Sequence, residues 1–451
     1  MRRAVIVMLD GLRRDFVTEA YTPRLHGFAH RAERFAAHRS VFPSATRVVS
    51  SSLATGCFPN RHGMQGNSFA LMEAGRLVAH DAGLPNFLQH KRALTGSSLA
   101  MPTLAQRLAP HGGVWVFSNV SPGAAYAHDP DGWGHVYHRA GSFGPGRVPV
   151  ADPLEVSLDA AGDRTMTERF IAEILPRRAA LSILWLGEPD HIQHECGLGD
   201  PEQLRVLAEA DRNAGMVMDA LAGDPEVLLI VASDHGHETV TGVIDVEAAL
   251  AAAGLKQAPD SDDVISVSNG TACLIYLHPD HTARRETLGR FLAEQDWAGQ
   301  VLSGDRLAAF GQSHANALAY AVTMRSSAAP NAHGVPGSAL VALPRAGKPD
   351  RMGCGQHGGL GTYEQMPFMM VSGPGFAADG LCQATTSPVD IAPTVLTHLG
   401  LPANGMDGRP LQRCQGWVPP RPARGQAPGP YEWDQRAAGP LRVQGRALAF
   451  L

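Results

Sequence analysis

Three apolar runs in this chain each end within a few residues in an aspartate. Asp10 follows Ala4 to Leu9, Asp190 closes LSILWLGEPD, and Asp234 closes VLLIVASDH. Two of the runs continue to histidine: His194 stands four residues after Asp190, and His235 is adjacent to Asp234. Short apolar runs of this kind read as buried strands, and in an open parallel sheet the carboxyl ends of the strands share the edge where ligands bind. Residues far apart in sequence therefore converge there. Carboxylates mixed with neutral imidazoles, with His357 of GCGQHGG as a further donor, have the composition of a hydrolytic site for two divalent metal ions. Zinc suits that donor set best, with manganese and iron as alternatives because carboxylates are included.

A second signal lies in VFPSATRVVSSSLATGCFPNRHGMQGN. Arg47 to Ala54 reads as a short helix ending before Gly56, which places Thr46 at its N-terminus, where free N–H groups and the helix dipole favour anions. A threonine alkoxide held there beside a metal is a usable nucleophile near neutral pH. The ordinary role of threonine at such a position is an N-cap, and Ser44, Ser50, Ser51 and Ser52 are rival hydroxyls. Cys57 to Arg61 matches the CxPxR motif of sulfatases, whose cysteine becomes formylglycine. Here Cys57 falls after the helix instead of at the nucleophile position, so it reads as a packed thiol. Arg47 has two roles open, clamping a phosphoryl oxygen or pairing with an acidic neighbour, and the second is preferred. His237 either meets substrate or hydrogen-bonds a carboxylate. His191 reads as supporting or solvated, and His62 and Asp15 as structural.

The elements around these residues alternate between strand and helix, which favours an α/β sandwich with a mostly parallel central sheet. Asp200 reads as the N-cap, and Pro201 as the first turn, of a helix burying Leu204, Leu207, Met218 and Leu221. Val227 to Ala232 reads as a buried strand. From Ala251 to Asp350 the pattern changes to strands and one helix (Ala283 to Glu294), which suggests a small α+β cap inserted into the core. The expected division is therefore a discontinuous core over 1–250 and 351–415, a cap over 251–350, and a Pro/Gly/Arg-rich extended tail over 416–451. The core resumes at MPFMMVSGPGF and a helix from Pro388 to Leu399 bounded by Ser387 and Gly400.

Composition restricts the partners. Hydrophobic residues make up 44% of 451 and charged residues 18%, so a sizeable core is available. A net charge of −5 argues against polymeric nucleic acid and anionic membranes as partners. Within 251–350, eight Lys/Arg are balanced by nine Asp/Glu, which offers no basic track for a phosphate backbone. Trp133 and Tyr137 are candidates for an aromatic wall beside a ring, although packing is the commoner role of such residues. MRR leads straight into the first strand without a signal-type apolar region, no run approaches a membrane span, and the cysteines lack finger spacing. A cytoplasmic protein acting on a small soluble molecule is the expectation, and self-association into a homo-oligomer is compatible with it.

The order LDG, PSAT, TG, HG, EPDxxxH, SDHGH and QHGG, followed by SPVDIAPTVLTHLGLP and MDGRPL, resembles the alkaline phosphatase superfamily. The nearest likeness is to its type I phosphodiesterase/nucleotide pyrophosphatase branch and to phosphonoacetate hydrolase. The resemblance implies an alkaline-phosphatase-like sandwich and two zinc-type ions bridged by Thr46. It implies that Asp190, His194 and His357 hold one ion, and Asp10, Asp234 and His235 the other. The implied reaction is hydrolysis of a small phosphodiester or pyrophosphate through phospho-threonine. Phosphonate cleavage and monoester hydrolysis use the same site, and a non-catalytic metal-binding module is the alternative of another class. One position departs from the pattern. Nucleotide pyrophosphatases carry a phosphoryl-binding asparagine three residues after the nucleophile, where this chain has Val49, and Asn67 is the candidate substitute.

Overall fold

The runs that end in aspartate form three neighbouring strands, β1 (Arg3–Leu9), β2 (Leu181–Leu186) and β3 (Val227–Ala232), each buried along its whole length. β1 pairs in parallel with both of the others, Met8 opposite Ala232 on one side and Leu9 opposite Leu186 on the other. Parallel register fixes direction, so the chain leaves all three strands at one edge. Strands buried on both faces have no polar alternation, which is why each reads as a continuous apolar run.

In this computed structural model, residues 2–258, 260–345 and 349–413 are described, with the backbone of Arg442–Val443 and Arg446–Ala447. The main sheet has ten strands in the order Gly380–Thr386, Glu33–His38, Met369–Ser372, β3, β1, β2, Val114–Ser118, His135–Tyr137, Phe143–Gly144, Val148–Pro149. Met369–Ser372 runs antiparallel between β3 and Glu33–His38, and the last two short strands are also antiparallel. Helices cover both faces. Ala4, Ile6 and Met8 face a core shared with Val48, Val49 and Leu53 of helix α1 (Thr46–Thr55) and with Val395 of Ile391–His398. Val5, Val7 and Leu9 face a second core with Leu207, Ala210 and Val217 of helix Pro201–Ala220. Alternate side chains of one strand thus serve two layers. Truncating Ile6 to alanine in such a core costs about 2–5 kcal/mol.

The local signals match these elements. Asp200 accepts from the Glu202 N–H, with Pro201 in the first turn of its helix. Asp390 Oδ2 accepts the Ser387 N–H at 2.9 Å where the chain enters the 3₁₀ turn Pro388–Asp390 and then helix Ile391–His398. Within 251–350, Val264–Ser268, Ala272–Leu277, Leu318–Met324 and Ala298–Leu302 form a four-stranded antiparallel sheet in that order. Leu288 and Leu292 of helix Arg285–Ala293 lie in a core with Cys273, Ile275 and Val322 of that sheet. Pro336–Ala342 belongs to another sheet, where it pairs in parallel with Glu238–Ile244. Most of the tail expected over 416–451 lies outside the described residues. No helix among the described residues is long and apolar enough to cross a membrane.

His62 shows how a polar group is held inside this core. Its Nδ1 accepts from the Met64 N–H at 3.1 Å, so Nε2 carries the proton donated to Ser52 Oγ at 3.0 Å. Burial, helped by the Lys91 charge, pushes its pKa down to about 3. A folded-state pKa below the unfolded value means that the unfolded chain takes the extra proton. The His62 contribution is therefore complete above about pH 6.5 and is lost as pH falls toward 3. We expect His62→Gln to be less stable than wild type at pH 7, with the gap narrowing by about 2 kcal/mol at pH 5. Urea midpoints measured at both pH values check this.

Candidate active site

The edge where β1, β2 and β3 end gathers the expected aspartates and histidines. Thr46 is the first residue of α1, and its Oγ1 lies 3.5 Å from Asp10 Oδ1 and 3.2 Å from His235 Nε2. His235 Nε2 is in turn 3.4 Å from Asp10 Oδ1 and 3.1 Å from Asp234 Oδ2. Asp190 opens the short helix Asp190–Gln193. Its Oδ1 is 3.4 Å from His194 Nε2 and 3.7 Å from His357 Nε2. The imidazoles of His235 and His357 stack at 3.6 Å, joining the two halves into one cluster.

Tautomers follow from what the other ring nitrogen touches. His357 Nδ1 donates to Ser44 O at 2.7 Å, His235 Nδ1 donates to Gly236 O at 3.1 Å, and His194 bonds the Gly355 backbone. Each of these rings therefore turns its Nε2 toward the carboxylates, the nitrogen a metal ligand offers. Burial keeps His357 neutral, whereas the aspartates raise the pKa of His194 and His235 against the effect of burial, so a cation bound there would displace protons. His237 differs. Its Nδ1 is buried without a partner and its Nε2 lies 2.7 Å from Asp190 Oδ1, so Nε2 carries the proton and donates it. Of its two expected roles, His237 takes the hydrogen bond to a carboxylate instead of meeting substrate: it is 0% exposed, is not among the residues lining the cleft, and donates to the Asp190 Oδ1 that also faces His194 and His357.

The electrostatics call for positive charge. Burial, then the Asp234 and Asp190 carboxylates, hold Asp10 well above the usual carboxylate range. Burial alone would also raise Asp190, but His194 and His237 hold it well below that range. Asp234 Oδ2 is buried without a hydrogen bond of acceptable geometry, although His235 Nε2 is 3.1 Å away. Carboxylate oxygens and imidazole Nε2 atoms converging on one space fit divalent cations. Asp190, His194, His237 and His357 offer atoms within 4.8 Å of one another, and Asp10, Asp190 and His235 do likewise. The tautomer argument removes His237 from the first of these groups.

A cleft of about 630 Å³ opens onto Asp10, Thr46, Asp190, His194 and His357. Asn67 lies on its wall. Its Oδ1 accepts from the Arg47 N–H at 3.1 Å, which leaves the Nδ2 donors for the cleft beside Thr46. Val49, in contrast, is buried in the core. Arg47 lines the cleft too, but its guanidinium is committed to Ser121 Oγ at 3.1 Å, Asn67 O at 3.2 Å and Asp81 at 3.5 Å. Pairing with an acid is the preferred expectation, and the acid comes from the strand Arg76–Asp81. Cys57 lies beyond the far end of α1, which a ten-residue helix places about 15 Å from Thr46. It is buried against Gly405. The aromatic wall is also corrected: Tyr137 stacks on Phe117 at 4.5 Å, Trp133 is 46% exposed, and neither lines the cleft.

Several supporting residues carried no sequence signal. Trp185, on β2, donates its indole N–H to Asp10 Oδ2 at 3.0 Å. Asn269 Oδ1 receives the N–H groups of Asn67 and Ser68 at 2.6 and 3.2 Å, fixing the Asn67 backbone. Glu364 takes the Gly359 and Gly361 N–H groups at 2.8 Å each and the Ser44 hydroxyl at 3.2 Å. It therefore ties the chain before Thr46 to the chain after His357.

The family model for type I phosphodiesterase/nucleotide pyrophosphatase matches residues 4–344. The chain belongs to that family of hydrolases. Its fold is that of murine ectonucleotide pyrophosphatase/phosphodiesterase 5, at TM-score 0.63 and 19% identity over 90% of this chain and 97% of that one. The human protein gives TM-score 0.64 and 17% identity over 91% and 99%. An inactive threonine-to-alanine variant of the murine protein, in complex with AMP, gives 0.63 and 17% over 90% and 97%. At such identities the likeness shows the fold alone. No curated protein sequence matches the chain.

Gly11 tests how tightly the site is packed. Its φ is +68°, its N–H bonds Asp234 Oδ1 at 3.0 Å, and a Cβ would fall 2.7 Å from His237 Nε2 and 3.0 Å from Asp190. Gly11→Ala is expected to lower stability by roughly 1–3 kcal/mol, through positive φ and displaced His237 together. Denaturant unfolding measures that loss, and a stability equal to wild type would contradict it.

Proposed function

We propose that this member of the family hydrolyses small soluble phosphodiesters or pyrophosphate-type substrates with Thr46 as nucleophile and two divalent cations, zinc being the best fit. The observation that carries the reading is the Thr46 hydroxyl at the start of α1, within 3.5 Å of Asp10 and His235 and on the wall of the same cleft as Asp190, His194 and His357. Asp190, His194 and His357 would hold one cation and Asp10, Asp234 and His235 the other. Bound there, the cations lower the pKa of the threonine hydroxyl and stabilise charge on the leaving oxygen.

Thr46 Oγ1 attacks phosphorus in line while the bond to the leaving oxygen breaks. Water then attacks the phospho-threonine from the opposite side and frees Oγ1. Asn67 Nδ2 donates to a non-bridging oxygen, taking the place that Val49 leaves empty. Asn269 holds Asn67 in that position. His237 keeps Asp190 turned toward the site. The family relative made inactive by replacing a threonine with alanine, and found with AMP, is consistent with a threonine at the centre of the chemistry.

A cleft of about 630 Å³ accommodates a small molecule. Residues 251–350 act as a cap, with Ser268, Asn269, Gly270, Pro344 and Asp350 forming one wall, and their balanced charge favours no polymer.

Thr46→Ala is expected to lower kcat on bis-p-nitrophenyl phosphate by roughly a thousandfold or more, with Thr46→Ser keeping part of it. Near wild-type rates in Thr46→Ala would assign the attack to water. Chelation is expected to abolish turnover, and zinc to restore it at about two ions per chain by elemental analysis. Cys57→Ala should leave the rate unchanged, since that thiol lies at the far end of α1. A large loss there would favour the sulfatase chemistry.

A further inference from the structure

No aromatic side chain other than histidine is among the described residues lining the cleft. Phe, Tyr and Trp are the side chains that stack on a nucleobase, and an adenine or similar ring meets none of them here. The cleft instead presents arginine. Arg139 lines it together with Val120, Ser121, Leu158 and Gly187, beside the loop that delivers Asp190.

Arg139 is held in an unusual way for a surface-reaching arginine. Its Nη1 alone donates to Asn119 Oδ1 at 3.0 Å and to the carbonyls of Asn119 and Val120 at 2.5 and 2.9 Å. Among the described residues, no carboxylate lies within ion-pairing distance of it, and its Nε and Nη2 have no protein partner. The platform beneath is rigid. Asn119 Nδ2 bonds Asp163 Oδ1 at 2.9 Å, and Asp163 accepts the Gly187 and Glu188 N–H groups at 3.1 and 2.9 Å. One face of the guanidinium is thus fixed by neutral acceptors, with the buried Asp163 beyond ion-pairing distance as its nearest counter-charge, and two donor groups are left over. Arg47, the other arginine of the cleft, has its charge answered by Asp81.

We propose that Arg139 is a specificity residue that binds a second anionic group, a carboxylate or phosphate, on a compact non-aromatic leaving group. A pre-positioned guanidinium with two free donors matches a planar carboxylate or a phosphate face in two parallel hydrogen bonds. Because the platform reaches both Arg139 and the Gly187–Asp190 turn, the anion site and the reacting centre keep a fixed separation. Substrates with a neutral or aromatic tail lose that anchor and gain no stacking surface in exchange.

The inference rests on the phosphoryl-transfer reading of Thr46, and the test keeps the two apart. Turnover of bis-p-nitrophenyl phosphate by the zinc-loaded full chain tests that reading alone. With turnover established, competitive inhibition is compared for glycerol 3-phosphate, 3-phosphoglycerate and glycerol 1,3-bisphosphate. These share the phosphate end and carry a hydroxymethyl, a carboxylate or a second phosphate at the other. Wild type is expected to bind at least one charged-tail probe about tenfold or more tightly than the neutral one, and the better of the two identifies the anion. In Arg139→Met the ratio should fall below about threefold, and in Arg139→Lys it should be intermediate. Equal inhibition by all three probes in wild type overturns the proposal without any variant. A ratio unchanged in a folded Arg139→Met, checked by its thermal midpoint, overturns it as well.

Discussion

Asp10, Asp190 and Asp234 end neighbouring strands, and their carboxylates repel across a buried space that water screens poorly. At about 4 Å and an effective dielectric near 20, two like unit charges cost roughly 4 kcal/mol. Much of the surrounding structure answers that repulsion. The Trp185 indole, the Gly11 amide and His237 each donate to one carboxylate, while three further imidazoles turn Nε2 to the space between. At Asp10 and Asp234 the donor takes one oxygen and leaves the other facing the cluster, whereas His237 donates to the same Asp190 Oδ1 that faces His194 and His357. Under the proposed function the cations complete this balance, which makes their binding part of the stability of the folded chain.

The same constraint decides which histidines do what. Four imidazoles crowd the site, and sequence spacing cannot distinguish them. His235 and His237 stand on either side of Gly236, yet one Nδ1 meets a carbonyl and the other meets nothing. That difference sets opposite tautomers for the two neutral rings. Gly11 and Gly355 leave the room that His237 occupies, since a Cβ at either would come within 2.8 Å of its ring.

What was legible in the sequence was what depends on local pattern. Continuous apolar runs gave β1, β2 and β3. Turn residues gave the ends of α1 and of Pro201–Ala220, and the residues just past the strands gave the acidic edge. The antiparallel placement of Met369–Ser372 was not legible, because an apolar tetrapeptide carries no direction. Nor were Glu364, Asn269 and Arg139. Each acts by contact with a residue far away in the chain, and such contacts leave no spacing to read. Tyr137 and Trp133 misled for the opposite reason: aromatic residues beside a polar loop look like a binding wall, and the packing of Phe117 against Tyr137 claims one of them for the core.

The central place of β1 in the sheet also bears on how the chain is made. β1 is synthesised before either of its neighbours, and both edges stay open until residues 181–186 and 227–232 have been added. At 5–20 residues per second the wait for β3 lasts roughly 10 to 45 s. Over that time a seven-residue strand with six consecutive apolar residues has no native partner, and pairing with another nascent copy is its main alternative. The strand that carries Asp10 to the acidic edge is therefore also a segment open to mispairing while the chain is being made.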